Sequence, residues 1–442
     1  MILSPDMKWI SLDERREIGQ KRRKELPRSV HAEVSAKKRK VSSLELLKRS
    51  DRGRVPALVK LKYERMKELP FRYFRGAVPV MAADLTALPN TGLLVQLCGD
   101  AHVNNLGAYA AEDGRLIFDI NDFDETFVGP FEWDLKRMAA SLVVAGRDAG
   151  NKDAISTRAV IRCVSSYAER MRAYAPMAVL DVVRDQITRL EEIAPVHVAL
   201  HKALRATPLH TLAELTEPVP EKGSQLPGAP RRFKESKPIV TRVSDEKKRE
   251  VLASLAAYVE TLQSQRKYFL GQYRPIDVAF KVVGTGSVGL RDYCIYMEGN
   301  GPNDPLFLQI KEEARSAYAP YLKDSLVPKH QGQRVVEGQR LIQTGTDILL
   351  GYTTIAGRDF LVRRLSDHKA SIELTDLKGD GLLEYAQLCG ELLARGHARS
   401  GDASQIAGYV GSGEVFAAAL AEFGRKYADQ TDRDWTELKK AK

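Results

Sequence analysis

Four polar residues between positions 98 and 135 have types and spacings that could carry out group transfer. Asn105 comes five residues after Asp100, Asp122 comes seventeen residues later, and Asp134 follows after twelve more. Transfer of a phosphoryl group needs an acidic side chain that accepts a hydroxyl proton, together with oxygen ligands that hold Mg²⁺ on the phosphates. These four positions therefore predict a loop that could bind a metal–phosphate group and activate a hydroxyl.

The same segment resembles the aminoglycoside and choline phosphotransferase branch of the protein-kinase-like fold. That branch shows His-Gly-Asp-x-His-x-x-Asn, then Ile-Asp-Phe/Trp, then an aromatic-Asp-Leu/Ile helix start; the corresponding residues here are Cys98-Gly99-Asp100-Ala101-His102 with Asn105, Asp122-Phe123 and Trp133-Asp134-Leu135. The resemblance implies that Asp100 is the catalytic base, that Asn105 and Asp122 bind the metal, and that Asp134 accepts hydrogen bonds from the loop backbone. Cys98 departs from the usual His, and His102 is expected to brace the loop rather than act as a base.

Two alternatives stay open for this segment. Asp and Asn favour turns, so Asp100 and its neighbours could simply connect a strand to a loop. Asp119 and Asp124 lie on the same stretch as Asp122 and could compete with it as metal ligands. The interval to Asp134 favours Asp122, with Asp119 as the reserve.

A second group of residues begins at a glycine-rich turn. Gly284, Gly286 and Gly289 form G-x-G-x-x-G after a predicted strand, with Ser287 inside it. A dinucleotide site would continue into a helix, but this sequence alternates as strands and reaches Lys311 at the end of an apolar strand. In kinases such a loop covers the phosphates and the Lys meets the α and β phosphates. These five residues are predicted to bind nucleotide, although the glycines could merely turn a hairpin.

Lys311 needs a carboxylate partner to fix its side chain. Glu337 lies in the next predicted helix, GQRVVEGQRLIQ, where the corresponding kinase glutamate would be. Glu312 and Glu313 point from the strand end and are less apt. Glu337 is therefore predicted to complete the nucleotide site.

The elements that must position these residues follow from hydrophobic periodicity. We predict a helix over 46–69, a strand over 93–97, a second strand in RLIFDINDFDE, mostly helix over 134–215, and a helix over 245–270. Three alternating strands, a helix, a hairpin turning at Ala356-Gly357 and a further helix complete the pattern. Residues 217–240 are Pro-rich and aperiodic, which is typical of a linker, and residues 362–365 are expected near an adenine-binding hinge.

Together these elements predict an α+β protein with a two-lobed protein-kinase-like fold in circularly permuted order, because the glycine-rich sheet comes about 180 residues after the catalytic loop. The lobes are a small antiparallel sheet lobe and a large mainly helical lobe. The predicted divisions are 1–50 as a basic N-terminal arm, 51–270 as the helical lobe, 271–366 as the nucleotide-binding sheet lobe, and 367–442 as C-terminal helices packing on the helical lobe. Permutation is feasible because chain termini commonly lie at the surface and close together.

Composition narrows the class of protein. The chain has 442 residues with 43% hydrophobic and 29% charged side chains, and no apolar run is long enough to cross a membrane. No signal peptide is evident, so a cytoplasmic location without a membrane partner is expected. The four cysteines form no C-x-x-C pair and are expected to be reduced and buried.

The net charge of +10 is concentrated near the N-terminus. Residues 13–50 hold 13 Lys and Arg against 6 Asp and Glu, including KRRK at 21–24 and KKRK at 37–40. Such a segment could contact nucleic acid or an anionic surface. The simpler interpretation is a solvated helical arm, and nucleic acid is an unlikely partner except through it.

Residues 397–402, His-Ala-Arg-Ser-Gly-Asp, could suggest a catalytic loop in the ordinary order. No Asn follows Asp402 at five residues and no second metal-binding Asp follows on a strand. A helix-end cap lining the cleft is the preferred interpretation. The predicted catalytic loop therefore stays at Asp100.

The whole chain also resembles an uncharacterised bacterial family, through PRSVHAEV, RVVEGQRLIQ, LARGHARSGD and YADQTDRDW. The two groups of residues predict an ATP- and Mg-dependent phosphotransferase acting on an unknown small-molecule or protein hydroxyl. Alternatives are transfer of AMP on the same fold, with the nucleotide reversed, and a non-catalytic nucleotide-binding pseudokinase. A nucleic-acid-binding protein is the least favoured alternative.

Overall fold

The computed structural model of the protein describes residues 9–35, 39–187, 190–219, 230–282, 284–365 and 370–441. The predicted α+β class is confirmed: helices form most of one lobe, and a six-stranded antiparallel sheet forms the other. Within the described residues, short 3₁₀ turns accompany these elements at Arg28–Ala32, Leu190–Glu192, Asp324–Leu326 and Leu374–Asp376.

The first five helices are α1 Leu12–Glu25, α2 Ser43–Ser50, α3 Pro56–Glu68, α4 Pro70–Gly76 and α5 Val78–Thr86. The helix predicted over 46–69 is therefore two helices. Pro56 disfavours helical backbone at the residue before it, and Val55 is extended at the N-cap of α3. Gly53 has φ +87°, so the intervening turn uses a left-handed conformation that glycine readily adopts.

The basic N-terminal segment packs on the protein instead of forming a solvated arm. A Cβ on Gly19 would lie 1.9 Å from the backbone oxygen of Gln405, so α1 contacts a later helix backbone to backbone. Arg22 donates to the carbonyls of Thr91 (2.7 Å) and Asn90 (2.8 Å). Of KKRK, positions 37 and 38 lie outside the described residues, and Arg39 forms ion pairs with two buried carboxylates, Asp84 and Asp434. Arg22 and Arg39 thus serve internal contacts, whereas Lys21, Lys24 and Lys40 are exposed.

The next part of the chain forms strands followed by helices: β1 Leu94–Leu97, β2 Leu106–Ala110, β3 Leu116–Ile120, β4 Phe127–Pro130, α6 Glu132–Asp148, α7 Asp153–Tyr174, α8 Val179–Arg184, α9 Ala194–Arg205 and α10 Pro208–Leu215. β1 pairs with β4, and β2 pairs with β3, both antiparallel. The strand predictions and the helical character of 134–215 are confirmed.

The predicted linker lies between α10 and the main sheet. It holds three short strands, β5 Thr216–Pro218, β6 Arg231–Phe233 and β7 Val240–Arg242; residues 220–229 lie outside the described residues. The helix predicted over 245–270 is three helices: α11 Asp245–Ala253, α12 Leu255–Glu260 and α13 Ser264–Leu270. Val251 of α11, Tyr258 of α12 and Leu270 of α13 pack against the sheet. Residues 240–270 therefore belong with the sheet lobe, not with the helical lobe as predicted.

The sheet lobe contains β8 Arg274–Lys281, β9 Asp292–Glu298, β10 Pro305–Glu312, α14 Gln331–Ile342, β11 Gly351–Ile355 and β12 Arg358–Arg364. The strand order is β11-β12-β10-β9-β8-β7, and every pair is antiparallel. The hairpin turns at Ala356 (φ 51°) and Gly357 (φ 71°), as predicted. The antiparallel sheet is thus confirmed, with β7 as an additional edge strand.

The chain ends in β13 Ala370–Ser371 and three helices, α15 Asp380–Ser400, α16 Ala403–Val410 and α17 Glu414–Lys440. β13 joins β2, while α15 and α17 pack on α6 and α7 in the largest hydrophobic core. All four cysteines are buried and unpaired. None of the described helices could cross a membrane.

Candidate active site

The loop over 98–105 leaves β1 and is held by buried side chains. The Asp134 carboxylate accepts hydrogen bonds from the backbone N–H groups of Cys98 (2.8 Å) and Gly99 (3.0 Å). Further along, Ser141 accepts from the Val103 N–H (3.0 Å), and Tyr385 donates to the Val103 carbonyl (2.6 Å). The hydrogen bonds predicted for Asp134 are present, and the loop is fixed at both ends.

Asp100 lies in this loop with 17% of its side chain exposed. Arg137 donates its Nε to Asp100 Oδ1 at 2.7 Å, and His102 Nε2 is 3.6 Å from Oδ2. Burial raises the pKa of Asp100 to about 6, even though Arg137 opposes that shift. The carboxyl group therefore titrates close to neutral pH, which suits proton transfer.

His102 is buried and supports the loop, in agreement with its predicted place. Its Nδ1 accepts a hydrogen bond from the Asn104 N–H (3.1 Å), and its ring meets Phe71 edge to face. Burial lowers the pKa of His102 well below its ordinary value, with Arg75 and Arg137 adding to that effect. His102 is therefore neutral at physiological pH.

Asn105 and Asp122 lie next to each other in the structure. Asn105 donates its side-chain Nδ2 to the Asp100 carbonyl (2.8 Å), and its own carbonyl accepts from the Asn121 N–H (2.9 Å). Asp122 follows β3 directly, and its Oδ1 accepts from the Asp124 N–H at 3.3 Å. The predicted base and the two predicted metal ligands thus share one side of the helical lobe.

Asp119, the reserve metal ligand, points elsewhere. It is fully buried and forms an ion pair with Arg395 at 2.5 Å. Its carboxylate is thus held inside the helical lobe by Arg395 of α15, and Asp119 lines neither cavity of the cleft.

Residues 397–402 support the site from behind. His397 is buried, lies 2.9 Å from the Tyr167 hydroxyl, and is 3.3 Å from the Asp134 carboxylate. Asp402 caps α16 by accepting from the N–H groups of Ser404 and Gln405. The interpretation as a helix cap agrees with these contacts, but residues 397–402 do not line the cleft; His397 is linked to the loop through Asp134.

Across the cleft, β10 presents alternate side chains to the two faces of the sheet. Leu308 and Ile310 pack under the helices of the outer face, whereas Gln309 and Lys311 face the cleft. Lys311 forms an ion pair with Asp124, although 187 residues separate them in sequence. Burial alone would lower the pKa of Lys311, but Asp124 and Asp122 raise it above its ordinary value.

The predicted pairing of Lys311 with Glu337 is wrong. Glu337 is exposed on α14, where it accepts a hydrogen bond from Gln333 Nε2 at 2.7 Å. The inward contact of α14 is made by Arg334, which donates to the carbonyls of Thr126 (2.7 Å) and Asp124 (2.9 Å). Lys311 finds its carboxylate on the loop after β3, so α14 anchors that loop rather than the lysine.

The glycine-rich loop lies between β8 and β9 and contacts the N-terminal part of the helical lobe. The Val55 N–H donates to the Gly289 carbonyl (2.7 Å), Arg54 donates to the Val288 carbonyl (2.6 Å), and Arg65 donates to the Gly284 carbonyl (2.5 Å). Residues 54–65 therefore hold this loop over the cleft.

Two adjoining cavities fill the cleft. The sheet-side cavity, of about 440 Å³, lies against Lys281, Gln309, Lys311 and Arg363 of the sheet. The loop-side cavity, of about 400 Å³, is lined by Asp100, His102, Asp124, Gly286 and Glu313. Both cavities share a common set of residues: Arg75, Asn105, Asp122, Gly284 and Ser287. The structure therefore brings together the predicted site residues, apart from Glu337, Gly289 and the supporting Asp134.

The loop-side cavity is rich in carboxylates whose ionisation is disfavoured. Burial raises the pKa of Glu125, and burial together with Asp124 raises the pKa of Glu313 well above its ordinary value. Arg75 faces Asp100 and Asp122, yet burial lowers its pKa, and its Nε has no hydrogen-bond partner among the described residues. A bound cation beside the carboxylates and an anion beside Arg75 would stabilise the ionised forms that burial disfavours.

Among the described residues, no group of three or more His, Cys, Asp or Glu side chains could hold a metal ion. A closed protein cage for a transition metal is thus lacking in that part of the chain. Mg²⁺ differs, because one or two carboxylates plus phosphate oxygens and water commonly complete its shell. Asn105 and Asp122 fit this limited role.

Several residues of the cleft were missed at the sequence level. Arg137 follows Asp134 by three residues on α6, and this spacing puts both on one helix face towards the loop. Gln309 shares the strand face of Lys311 by the two-residue period. Arg75 and Lys281 carried no comparable signal, because only the packing of the lobes brings them to the cleft.

A family model described as an uncharacterised protein conserved in bacteria (DUF2252) matches residues 54–441. The matched range includes both loops and the complete six-stranded sheet. No curated protein and no solved structure matches the chain.

Proposed function

The chain belongs to the DUF2252 family of uncharacterised bacterial proteins, and from its cleft we propose that it is a kinase-like transferase that uses Mg²⁺ and ATP. The observation that carries the proposal is the ion pair between Lys311 and Asp124. Lys311 lies near the end of the apolar strand β10, and Asp124 lies beside Asp122. A lysine for phosphates and carboxylates for a metal thus meet under one glycine-rich loop. The acceptor is a hydroxyl group.

Mg²⁺ would be held by Asn105 Oδ1 and the Asp122 carboxylate. Asp122 borders both cavities, whereas Asp124 borders only the loop-side cavity and is engaged by Lys311. The hydrogen bond from Asn105 Nδ2 to the Asp100 carbonyl orients the amide, so that its oxygen is the group left for a ligand. When bound, the metal would neutralise charge on the phosphates during transfer.

Asp100 is the proposed base. It lies in the loop-side cavity, away from the cations of the sheet, and its raised pKa keeps it a competent proton acceptor near neutral pH. Arg137 holds one carboxylate oxygen, which leaves the other directed towards His102 and the cavity. The carboxylate would accept the proton of the attacking hydroxyl.

The proposed permutation is also supported by the short distance between the end of α15 and β1. α15 ends beside β1: the Gln96 N–H donates to the Ser400 hydroxyl (3.2 Å), and a Cβ on Gly401 would lie 3.0 Å from the Leu94 carbonyl oxygen. A short connection from α15 to β1 would place the sheet lobe ahead of the catalytic loop, in the ordinary kinase order. The chain instead continues into α16 and α17.

Calorimetry with MgATP tests the proposal. Lys311→Ala and Asp122→Asn should each weaken binding by about tenfold or more, because each removes a charged contact. Lys60→Ala is the control, since its side chain is 86% exposed on α3. Wild-type affinity in both cleft variants, with the fold intact by circular dichroism, would contradict the proposal.

A further inference from the structure

The proposed function leaves open which way ATP lies in the cleft, and the two cavities differ in a way that bears on it. Three carboxylates line the sheet-side cavity against five cations: Arg75, Lys281, Lys311, Arg363 and Arg364. The loop-side cavity has the opposite balance, with five carboxylates against four arginines. A triphosphate carries up to four negative charges, so the sheet-side cavity is the favourable place for its phosphates.

The cations of the sheet-side cavity are only partly used within the protein. Among the described residues the Lys281 side chain forms no hydrogen bond or ion pair, although its charge acts on the buried Asp292 carboxylate. Arg363 donates its Nε to Gln309. Arg75 leaves a buried Nε without a hydrogen-bond partner in the same part of the chain. Of the carboxylates, Asp347 is held by Arg364 at 2.8 Å. The cavity therefore retains positive charge that points to an anionic ligand.

The same cavity is a poor place for a purine. Pockets for planar, neutral ring systems are lined mainly by apolar side chains, but the sheet here presents Lys281, Gln309, Lys311 and Arg363. The sheet-side cavity has some apolar lining, from Tyr109, Ala110, Leu215 and Leu365, but the loop-side cavity offers more, through Leu46, Val78, Pro79, Leu290, Pro320 and Tyr321. Its carboxylates would accept hydrogen bonds from ribose hydroxyls, while they would repel a polyphosphate.

Resting on the proposed function, we infer that ATP binds reversed: its β and γ phosphates lie in the sheet-side cavity, its adenosine lies in the loop-side cavity, and the transferred group is AMP. The α-phosphorus then lies between the cavities, beside Asn105 and Asp122, which border both.

The chemical step balances without any further reactant. The acceptor hydroxyl oxygen forms a bond to the α-phosphorus while the bond from that phosphorus to the α–β bridging oxygen breaks. The electron pair of the broken bond leaves on pyrophosphate, into the cationic sheet-side cavity. The hydroxyl proton passes to Asp100, which borders the loop-side cavity opposite the leaving group. The products are an adenylylated acceptor and pyrophosphate.

Three probes test this orientation on the full chain: MgATP and magnesium pyrophosphate by calorimetry, and adenosine by ligand-detected NMR. Lys281→Ala and Arg363→Ala should weaken pyrophosphate and MgATP by about tenfold, the loss expected for a charge-assisted contact, and leave adenosine unchanged. Tyr321→Ala should weaken adenosine and leave pyrophosphate unchanged. Lys60→Ala is again the exposed control.

The outcomes separate the two proposals. The reversed orientation would be overturned if both sheet-side variants kept wild-type affinity for pyrophosphate, or if they lost affinity for adenosine. In either case, MgATP binding by the wild-type protein would still support the proposed function. A wild-type protein that binds neither MgATP nor pyrophosphate would overturn the proposed function itself. Lys281→Arg should restore most of the affinity for pyrophosphate, since it preserves the charge.

Discussion

The two loops of the cleft are held in different ways. The proposed catalytic loop over 98–105 is fixed by buried side chains from two helices, including Asp134 of α6 and Tyr385 of α15. The glycine-rich loop over 284–289 is fixed at the rim, by backbone and arginine donors of residues 54–65. The Arg54 side chain is only 10% exposed, so the contacts of both loops are largely removed from solvent. The helical lobe thus braces the 98–105 loop from within its own core, whereas the glycine-rich loop depends on contacts that cross between the two lobes.

The largest effect is expected from Asp100→Asn in the catalytic loop. The amide keeps the shape of the side chain but cannot accept the hydroxyl proton, so turnover should fall by about 10²- to 10⁴-fold. MgATP affinity should change little, because the amide keeps the size of the side chain and can still accept a hydrogen bond, and because Asp100 does not line the sheet-side cavity proposed for the phosphates. Product formation and calorimetry on the same sample check both points. Retained turnover would remove the chemical role from this loop.

Asp134→Ala tests how much stability the buried hydrogen bonds to the 98–105 loop contribute. The change leaves the Cys98 and Gly99 N–H groups without their acceptor in a fully buried site, so the free energy of unfolding should drop by about 3 kcal/mol. Urea denaturation measures this loss. Asp113→Ala is the control, because Asp113 pairs only with Arg115 at the surface. A loss below about 1 kcal/mol would mean that the other contacts suffice.

The pH profile sharpens the same comparison. Burial raises the pKa of Asp100 to about 6 in the folded protein, and a base works only in its ionised form. Turnover should therefore be low at acidic pH, rise about tenfold per unit below pH 6, and level off above it. The rate under saturating substrate at constant ionic strength gives the curve. A rising limb centred near pH 4 would mean that Asp100 is solvated like an ordinary carboxylate.

The smallest stability effect is expected in the glycine-rich loop. Gly289 has φ +96°, and a Cβ there would lie 3.1 Å from Arg54 Cβ, so Gly289→Ala should cost about 1 to 2 kcal/mol and weaken MgATP binding. Gly357→Ala is the matched control, since φ is +71° in an open hairpin turn with no atom within 4 Å. Both variants should lose similar stability in denaturation, but only Gly289→Ala should lose nucleotide affinity. Equal affinities would show that the loop's contacts with residues 54–65 are unimportant for binding.

Elements that depend on local sequence signals were predicted correctly, whereas features that depend on contacts between distant residues were not. Period-two alternation and turn residues located β8 to β12 and the hairpin at Ala356-Gly357, because these signals are local. The break between α2 and α3 was signalled by Pro56, although apolar periodicity obscured it. The three-part course of residues 245–270 follows from packing on the outer sheet face, which no local pattern encodes.

The candidate site shows the same division. Residue type and spacing predicted Asp100, Asn105, Asp122, Asp134 and Lys311 as candidate site residues, because metal binding and proton transfer require such groups at short, fixed intervals. The partner of Lys311 was beyond this reasoning: Glu337 fitted the order of elements, but Asp124 is the carboxylate that the folded chain brings to the lysine. Choosing between them requires the relative position of two lobes about 190 residues apart in sequence.

The sequence by itself determined the α+β class, the antiparallel sheet and the residues of the two loops, since these depend on periodicity, turn chemistry and residue type. Only the tertiary structure decided that the basic N-terminal segment packs inward, that Arg75 and Lys281 reach the cleft, and that one cavity is cationic while its neighbour is acidic. The physical reason is that a cavity's charge is a sum over side chains from distant segments. That sum is fixed only when burial of the hydrophobic cores sets the lobes against each other.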